Sequence, residues 1–335
     1  MNRPEVLLAM SDATYRTQFG PAEHARLSEL AGLGEPLQVA SLDQPAARER
    51  LADVEVLLTS WGAPELTADV LDAAPGLRAV IHCAGTVKPV VTEGVWERDL
   101  LVTNAVDANA VPVAEFTFAA IVMAGKRAPF FAARARTARD DWSVDGLGDL
   151  SNRDRTIGIV GFSRTGRRVV ERLAALETRE VLVSDPYADR DEVKAAGARL
   201  TGLDEVLAAS DITSLHAPAL PSTRHLIGAR ELALMPDGAT LINTARGMVV
   251  DTAALEAECE AMRLFAILDV TDPEPLPADS ALYDLPNVMV TPHIAGSLGT
   301  ETRRMTSSAL DELERYARGE DPLSPVTRES LETSA

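Results

Sequence analysis

The sequence predicts an α/β protein with two parallel, doubly wound sheets. Short apolar runs alternate with helical patterns along the chain, and this alternation starts twice, first at Glu5 and again at Thr156. Strands that are joined by helices pair in parallel, and the helices cover both faces of the sheet. At 335 residues the chain is long enough for two domains, each with its own core.

The first predicted unit ends near Asn104. Its strands are predicted by the apolar runs EVLLAM, VEVLLT and LRAVIHCA, and its helices by AEHARLSEL and PELTADVLDAA. A long helical stretch follows, VPVAEFTFAAIVMAGKRAPFFAARARTARDDW, in which Pro112 suits a first turn and Pro129 predicts a break. We expect a helical connector between two domains here, followed by a surface loop at residues 143–155.

The second predicted unit begins at Thr156. Six apolar runs, TIGIV, EVLVS, DITSL, ATLIN, LFAILDV and NVMVT, alternate with helical segments, which is the order of a dinucleotide-binding sheet. After Ser297, the segment GTETRRMTSSALDELERYARGE carries apolar and small residues at helical spacing. It predicts a C-terminal helix that returns to the first domain.

A glycine turn follows the first strand of the second unit. Gly161, Ser163 and Gly166 occupy the three glycine positions of a GxGxxG motif. In that motif the first glycine forms the tight turn, the second lets the backbone approach a pyrophosphate, and the third lets the helix pack on the strand. Asp185 ends the next strand, where a carboxylate accepts hydrogen bonds from an adenosine ribose and repels a 2′-phosphate. The pattern therefore predicts binding of NAD rather than NADP. Ser163 either keeps the pyrophosphate slightly farther out or donates its hydroxyl to it, and we favour the second.

Three polar residues follow the last three strands. Arg246 comes after ATLIN, Glu274 lies in the proline-rich loop after the next strand, and His293 comes after NVMVT. The carboxyl ends of parallel strands share one edge, so we expect these residues to meet there. A histidine can transfer a hydroxyl proton, a glutamate can orient it and favour its charged form, and an arginine can hold a carboxylate and a carbonyl oxygen. Each residue alone has an ordinary structural explanation, but together they predict a hydride-transfer site.

Composition narrows the classes of partner. A formal charge of −19 disfavours nucleic acid and anionic membrane surfaces. The N-terminal apolar run is too short for a signal peptide, and no later run reaches membrane-spanning length, so we expect a cytoplasmic enzyme without membrane contact. Cys83 and Cys259 are interpreted as small buried residues rather than as a disulfide or part of a metal site, and no metal is expected.

These motifs resemble those of the D-isomer-specific 2-hydroxyacid dehydrogenase family over nearly the whole chain. The matching segments are GIVGFSRTGR, SDPY, LHAPALPSTRHLI, LMPDGATLINTARGMVVD, LDVTDPEPLPADSALYDLPNVMVTPHIAGS and VPVAEFTFAAIV. The resemblance implies a flavodoxin-like substrate domain, residues 1–108 completed by the C-terminal helix at 297–335. A Rossmann NAD-binding domain, residues 109–296, is inserted into it, which explains why the glycine turn comes so late.

The resemblance also implies roles for individual residues. Arg246, Glu274 and His293 would be catalytic, and the backbone amides of Ala84, Gly85 and Thr86, together with Arg246, would bind the substrate. The implied cofactor contacts are Gly161, Ser163, Arg164, Thr165, Gly166, Asp185, His216, Pro218, Thr223, Thr244, Ala245 and Asp269. His216 and Thr223 could instead hold loops in place.

Departures from the family pattern lie in the substrate loop, HCAGTVKPV. Val87 and Lys88 stand where the family commonly has an Asp and a further polar or apolar residue. Lys88 either attracts an anionic substrate or is simply solvated. Trp61, in the loop after the third strand, either closes over an apolar substrate tail or makes ordinary packing contacts.

The implied activity is NAD-dependent reduction of small 2-keto acids to D-2-hydroxy acids, or the reverse. Glyoxylate, hydroxypyruvate and 3-phosphoglycerate-like substrates all fit, and the family usually forms homodimers. One alternative is a dehydrogenase-like corepressor that senses NAD(H) for a protein partner. A formate dehydrogenase is a further alternative. Glu274 counts against it, because the resemblance implies that a formate dehydrogenase has Gln, not Glu, beside the His.

Overall fold

The computed structural model describes residues 2–140, 143–144 and 148–333, which divide into two compact units. The five-strand unit comprises residues 2–109 with Ser297–Thr333, and the seven-strand unit comprises Ala110–Gly296. Asp141 and Trp142 of the predicted connector, and residues 145–147 of the predicted surface loop, lie outside the described residues. Both sheets are parallel throughout, so the predicted fold class is confirmed.

The strands are β1 Glu5–Ala9, β2 Gly32–Val39, β3 Val56–Thr59, β4 Ala79–His82, β5 Leu101–Asn104, β6 Thr156–Val160, β7 Glu180–Ser184, β8 Arg199–Leu200, β9 Ile212–Leu215, β10 Thr240–Asn243, β11 Phe265–Leu268 and β12 Val288–Val290. The helices are α1 Asp12–Gln18, α2 Pro21–Leu30, α3 Pro45–Leu51, α4 Ala68–Ala73, α5 Glu93–Glu97, α6 Val106–Gly125, α7 Ala128–Arg134, α8 Arg164–Leu173, α9 Arg190–Ala195, α10 Leu203–Ala209, α11 Ala229–Leu234, α12 Thr252–Glu260, α13 Thr302–Arg318 and α14 Arg328–Thr333.

The five-strand sheet has the order β2-β1-β3-β4-β5, which is the flavodoxin-like order. Strands β2 and β5 were not predicted from the sequence. Strand β2 lies at an edge and contains Gly, Pro and Glu instead of an apolar run, and β5, at the other edge, reads LVTN with two polar residues. Helix α13 packs on α1 and α2, and its Ala309, Leu310 and Leu313 are buried in the core beside β1 and β4.

The seven-strand sheet has the order β12-β11-β10-β9-β6-β7-β8. All six predicted strands are present, and the two-residue β8 at the edge was missed. The chain winds from β6 toward β8 and then returns to β9 on the other side of β6, so the strand order reverses between β6 and β9. In doubly wound sheets, ligands bind outside the carboxyl ends of the strands at this reversal.

Helix α6 starts earlier than predicted. It begins at Val106, so Pro112 lies inside the helix and not in its first turn. The Asn104 side chain accepts a hydrogen bond from the Val106 N–H at 3.3 Å, which supports the earlier start. The predicted break is confirmed, because Arg127 adopts a left-handed φ of 51° and Pro129 lies in the first turn of α7.

Helix α6 also corrects the expectation that no apolar run reaches membrane-spanning length. By length and composition alone it could cross a membrane. Ala114, Ile121 and Ala124 of this helix are nevertheless buried in a core that includes Ile157 and Ile159 of β6. Its apolar composition is therefore accounted for by packing inside the seven-strand unit.

Candidate active site

The turn after β6 leaves no room for side chains at two of its positions. Gly161 has a φ of 98°, and a Cβ there would lie 2.7 Å from the backbone carbon of His216. A Cβ on Gly166 would lie 2.0 Å from the carbonyl oxygen of Gly161. The backbone therefore approaches closely where α8 starts, and only glycine fits at either position.

Ser163 is the N-cap of α8. Its Oγ accepts a hydrogen bond from the Gly166 N–H at 3.4 Å. Because the oxygen acts as the acceptor, the hydroxyl hydrogen remains available for a donor role toward a phosphate. Arg164 and Thr165 are the first two residues of α8, and the first turn of a helix favours an anion.

Asp185 directly follows β7 and is tied to the glycine turn. Its Oδ2 accepts from the Phe162 N–H at 2.7 Å, and its Oδ1 accepts from the Tyr187 N–H at 2.8 Å. A carboxylate has about four acceptor positions, so two remain for the hydroxyls of a ribose. The close glycine turn, the start of α8 and this carboxylate together fit a dinucleotide.

His216 follows β9 behind the glycine turn. Burial lowers the pKa of His216 to about 3, so the ring is neutral. Its Nε2 lies 3.0 Å from Ser214 Oγ, and its buried Nδ1 has no partner among the described residues. Thr223 holds its own loop, since its Oγ1 donates to the Pro218 carbonyl and accepts from the Leu220 N–H.

The loop after β10 is held by short-range hydrogen bonds. Thr244 is buried, and its Oγ1 lies 2.7 Å from Oγ1 of Thr117 in α6. The Asn243 side chain accepts from the Ala245 N–H and donates to the Arg246 carbonyl, both at 3.0 Å. The backbone that carries Arg246 is therefore fixed on both sides.

Arg246 lies beside the loop that carries Glu274. A Cβ on Gly247 would lie 1.9 Å from the Thr271 carbonyl oxygen, so the loops after β10 and β11 touch where Gly247 has no side chain. Burial lowers the pKa of the Arg246 guanidinium, and the Glu274 charge opposes this shift. The group remains a cation, since arginine is not deprotonated in proteins.

His293 and Glu274 form a direct pair. His293 Nδ1 lies 2.7 Å from Glu274 Oε1, and both side chains are about half exposed, at 49% and 43%. His293 has a φ of 53°, an uncommon conformation for a residue other than glycine. The structure thus brings Glu274 and His293 together, with Arg246 close enough to Glu274 for their charges to interact.

Asp269 has a structural role that the sequence analysis did not identify. It is 2% exposed, and its Oδ1 accepts from Thr291 Oγ1 at 2.6 Å and from the Ile294 N–H at 2.8 Å. Its Oδ2 accepts from the Ala295 N–H at 2.9 Å, and its carbonyl accepts from the His293 N–H at 3.0 Å. This carboxylate therefore fixes the loop that carries His293. Its partners are more than twenty residues away in the chain, so no local pattern reveals the role.

The predicted substrate loop belongs to the five-strand unit and follows β4. Within the described parts of the chain, the backbone N–H groups of Ala84, Gly85 and Thr86 have no hydrogen-bond acceptor. Lys88 is exposed, and its backbone N–H donates to Thr86 Oγ1 at 3.4 Å. Trp61 is 43% exposed.

The two cysteines are buried and free, as the sequence analysis expected. Burial raises the pKa of both thiols to about 12, which makes them poor nucleophiles. Over residues 2–140, 143–144 and 148–333, no group of three or more His, Cys, Asp or Glu side chains is placed to hold a metal ion.

Comparison with known proteins gives a consistent result. Residues 118–295 match the family model of the D-isomer specific 2-hydroxyacid dehydrogenase NAD binding domain. A glyoxylate reductase of Aeropyrum pernix is 35% identical over 270 residues, covering 79% of this chain and 80% of the relative. A D-3-phosphoglycerate dehydrogenase of Methanocaldococcus jannaschii is 30% identical over 302 residues, covering 90% of this chain and 57% of the relative. The chain thus spans about half the length of the phosphoglycerate dehydrogenases that it matches.

Solved structures share the fold of this chain. The crystal structure of the TT0316 protein of Thermus thermophilus superimposes with a TM-score of 0.76 at 30% identity, covering 96% of this chain and all of the other. The chain therefore belongs to the D-isomer-specific 2-hydroxyacid dehydrogenase family and carries that family's NAD-binding domain.

Proposed function

We propose that the protein reduces small 2-keto acids to D-2-hydroxy acids with NADH, or catalyses the reverse oxidation with NAD. The observation that carries this proposal is the 2.7 Å contact between His293 Nδ1 and Glu274 Oε1, at strand ends beside Arg246. The contact engages Nδ1 and leaves Nε2 as the ring nitrogen that can exchange a proton with a substrate oxygen.

Each catalytic residue then has a distinct task. When bound, the reduced nicotinamide supplies a hydride to the carbonyl carbon. Protonated His293 gives its Nε2 proton to the carbonyl oxygen, so that a hydroxyl forms and a neutral imidazole remains. The Glu274 carboxylate accepts from the Nδ1–H of His293 and so orients the ring for the transfer. The guanidinium of Arg246 offers paired donors to the substrate carboxylate and carbonyl oxygen.

Substrate binding is proposed to involve a second element, the loop after β4. The free N–H groups of Ala84, Gly85 and Thr86 support binding of a carboxylate, because successive backbone amides form a concave anion site without needing particular side chains. Lys88 would add attraction for an anion. Trp61, exposed after β3, would cover an apolar substrate tail.

The cofactor contacts predicted from the sequence remain part of the proposal. The hydroxyl of Ser163 and the first N–H groups of α8 would hold the pyrophosphate, and Asp185 would hold the ribose. His216, Pro218, Thr244 and Ala245 would line the site. Thr223 and Asp269 would act through the loops that they fix. The substrate domain would comprise residues 1–108 with 297–335, and the NAD-binding domain residues 109–296.

We also propose a cytoplasmic homodimer assembled through the long connector helix. The exposed side chain of Met123 on α6 supports this surface. Size-exclusion chromatography with light scattering measures the mass of the protein in solution, and the mass of a monomer would contradict the proposal. The alternative of an NAD(H)-sensing corepressor has no support among the curated relatives named above.

The test is the oxidation of NADH and NADPH by the purified protein with a panel of keto acids. The panel contains glyoxylate, hydroxypyruvate, phosphohydroxypyruvate, pyruvate, phenylpyruvate and 2-ketoisocaproate. We expect turnover with NADH and much weaker turnover with NADPH, because Asp185 repels a 2′-phosphate. For every keto acid except glyoxylate, whose product has no stereocentre, we expect a D-configured product on a chiral column. NADH binding without turnover of any keto acid would contradict the proposal.

A further inference from the structure

A buried polar contact lies directly beneath the loop after β4. The carbonyl oxygen of Cys83 accepts two hydrogen bonds, one from Gln18 Nε2 at 3.1 Å and one from Ser60 Oγ at 3.2 Å. Gln18 ends α1 and Ser60 follows β3, and their side chains are 0% and 1% exposed. Two separate elements thus converge on one peptide group.

That peptide group carries the first N–H of the loop. In a trans peptide the N–H points away from the carbonyl oxygen, so the Ala84 N–H lies on the side opposite Gln18 and Ser60. Ala84 is fully buried, and its N–H has no acceptor in the parts of the chain that the structure describes. A buried backbone N–H without an acceptor is rare and costs stability, and the residues that follow it in the loop, Gly85 and Thr86, are partly exposed.

The hydrogen bonds on the carbonyl affect this donor in two ways. They fix the plane of the Cys83–Ala84 peptide, while the Ala105 N–H donates to the Ala84 carbonyl at 2.9 Å and fixes the next peptide. They also draw electron density toward the carbonyl oxygen, which makes the N–H of the same peptide a stronger donor. The direction and the strength of the Ala84 N–H both depend on Gln18 and Ser60.

Gln18 is an unfavourable choice for packing alone. Its Nε2 donates one hydrogen bond, to the Cys83 carbonyl, and its buried Oε1 has no partner among the described residues. An apolar side chain of the same length would avoid the cost of that unpaired oxygen. What the glutamine supplies is the bond to the Cys83 carbonyl.

We propose that Gln18 and Ser60 are positioning residues for the substrate carboxylate, which they orient through the Cys83–Ala84 peptide without touching the substrate. The inference rests on the proposed function, in which the amides of Ala84, Gly85 and Thr86 bind that carboxylate. It adds two residues distant in sequence that tune the strength of this binding.

The test uses Ser60→Ala and Gln18→Met, each of which removes one donor and keeps most of the packing. For each variant we expect the KM for the keto acid to rise about three- to tenfold, the worth of one hydrogen bond, with kcat little changed. The Kd for NADH, measured by fluorescence titration, should stay at the wild-type value. Because both donors act on one oxygen, the KM of the double variant should differ from the product of the single effects.

Thr103→Val is the matched control. Thr103 lies in β5, next to β4, and its hydroxyl is buried without a hydrogen-bond partner among the described residues. Its replacement removes a buried hydroxyl from the same sheet but leaves the Cys83 carbonyl untouched, so the KM should not change. An unchanged KM in both Ser60→Ala and Gln18→Met would overturn the inference. So would a parallel loss of kcat, NADH binding and thermal stability.

Oxamate binding by calorimetry separates this inference from the proposed function. A wild-type protein that turns over no keto acid contradicts the function but still permits this measurement, because oxamate presents a carboxylate to the loop. Weaker oxamate binding by Ser60→Ala and Gln18→Met than by Thr103→Val supports the inference. Equal binding by all three, or no binding by the wild type, contradicts it.

Discussion

At the scale of single residues, His293 is distinguished by its carboxylate partner and by its position after β12. We expect His293→Ala to lower kcat by about 10²- to 10⁴-fold, the usual contribution of a general acid–base group, and to leave the NADH Kd unchanged. Steady-state kinetics and fluorescence titration measure the two effects. His225→Ala is a matched control, because His225 also has a left-handed backbone, with φ 49°, and an acidic neighbour, Asp251, at 3.9 Å. A variant that loses NADH binding instead of turnover would show that His293 has another role.

Asp269 acts on the same histidine through the backbone. In Asp269→Asn, an amide NH₂ replaces one of the oxygens that accept from Thr291, Ile294 and Ala295, so a donor faces a donor. We expect the free energy of unfolding to fall by about 1–3 kcal/mol, and kcat to fall because the loop around His293 shifts. Urea denaturation and steady-state kinetics measure these effects. Thr291→Val removes only one of the donors and should give smaller losses. Wild-type kcat in Asp269→Asn would contradict the positioning role.

At the scale of elements, Ser163 connects the glycine turn to α8. Replacing an N-cap serine by alanine costs about 0.5–2 kcal/mol, whereas glycine costs only a few tenths. We therefore expect Ser163→Ala to be less stable than Ser163→Gly in urea denaturation. The Kd for NADH should change only modestly in Ser163→Gly, because the N–H groups of α8 remain. Loss of NADH binding in Ser163→Gly would show that the hydroxyl itself is essential.

The same scale explains which features could be predicted from the sequence. Apolar runs identified β6, β7 and β9 to β12, and even the edge strand β12 has the apolar sequence VMV, whereas the edge strands β2 and β8 carry mixed sequences. The alternation of strands and helices also predicts that Glu274 and His293 share one edge of a sheet. The roles of Gln18 and Asp269 could not be predicted, because their partners are distant in sequence and are brought close only by the folded chain.

At the scale of the whole molecule, each unit contains one buried histidine that folding keeps neutral. Burial lowers the pKa of His82, in the five-strand unit, from 6.5 to about 4. It lowers the pKa of His216, in the seven-strand unit, from 6.5 to about 3. Between pH 6.5 and these lower values the unfolded chain binds protons that the folded chain does not. Protons therefore favour unfolding in this range, and stability falls as the pH falls.

We expect the free energy of unfolding to be nearly constant above pH 7 and to decrease below pH 6.5, with each histidine contributing a slope of up to about 1.4 kcal/mol per pH unit. Urea denaturation at pH 7.5, 6.0 and 5.0 measures the slope. Carboxylates in ion pairs add a slope of the same sign, so the informative quantity is the difference between variants. His82→Asn and His216→Asn should each flatten the curve of stability against pH, because the introduced asparagine takes up no proton in the folded or the unfolded chain. Thr103→Val, which removes a buried hydroxyl and no titratable group, provides the control, and its slope should stay close to that of the wild type. Equal slopes in all three variants would contradict a role for buried neutral histidines in the acid sensitivity of this fold.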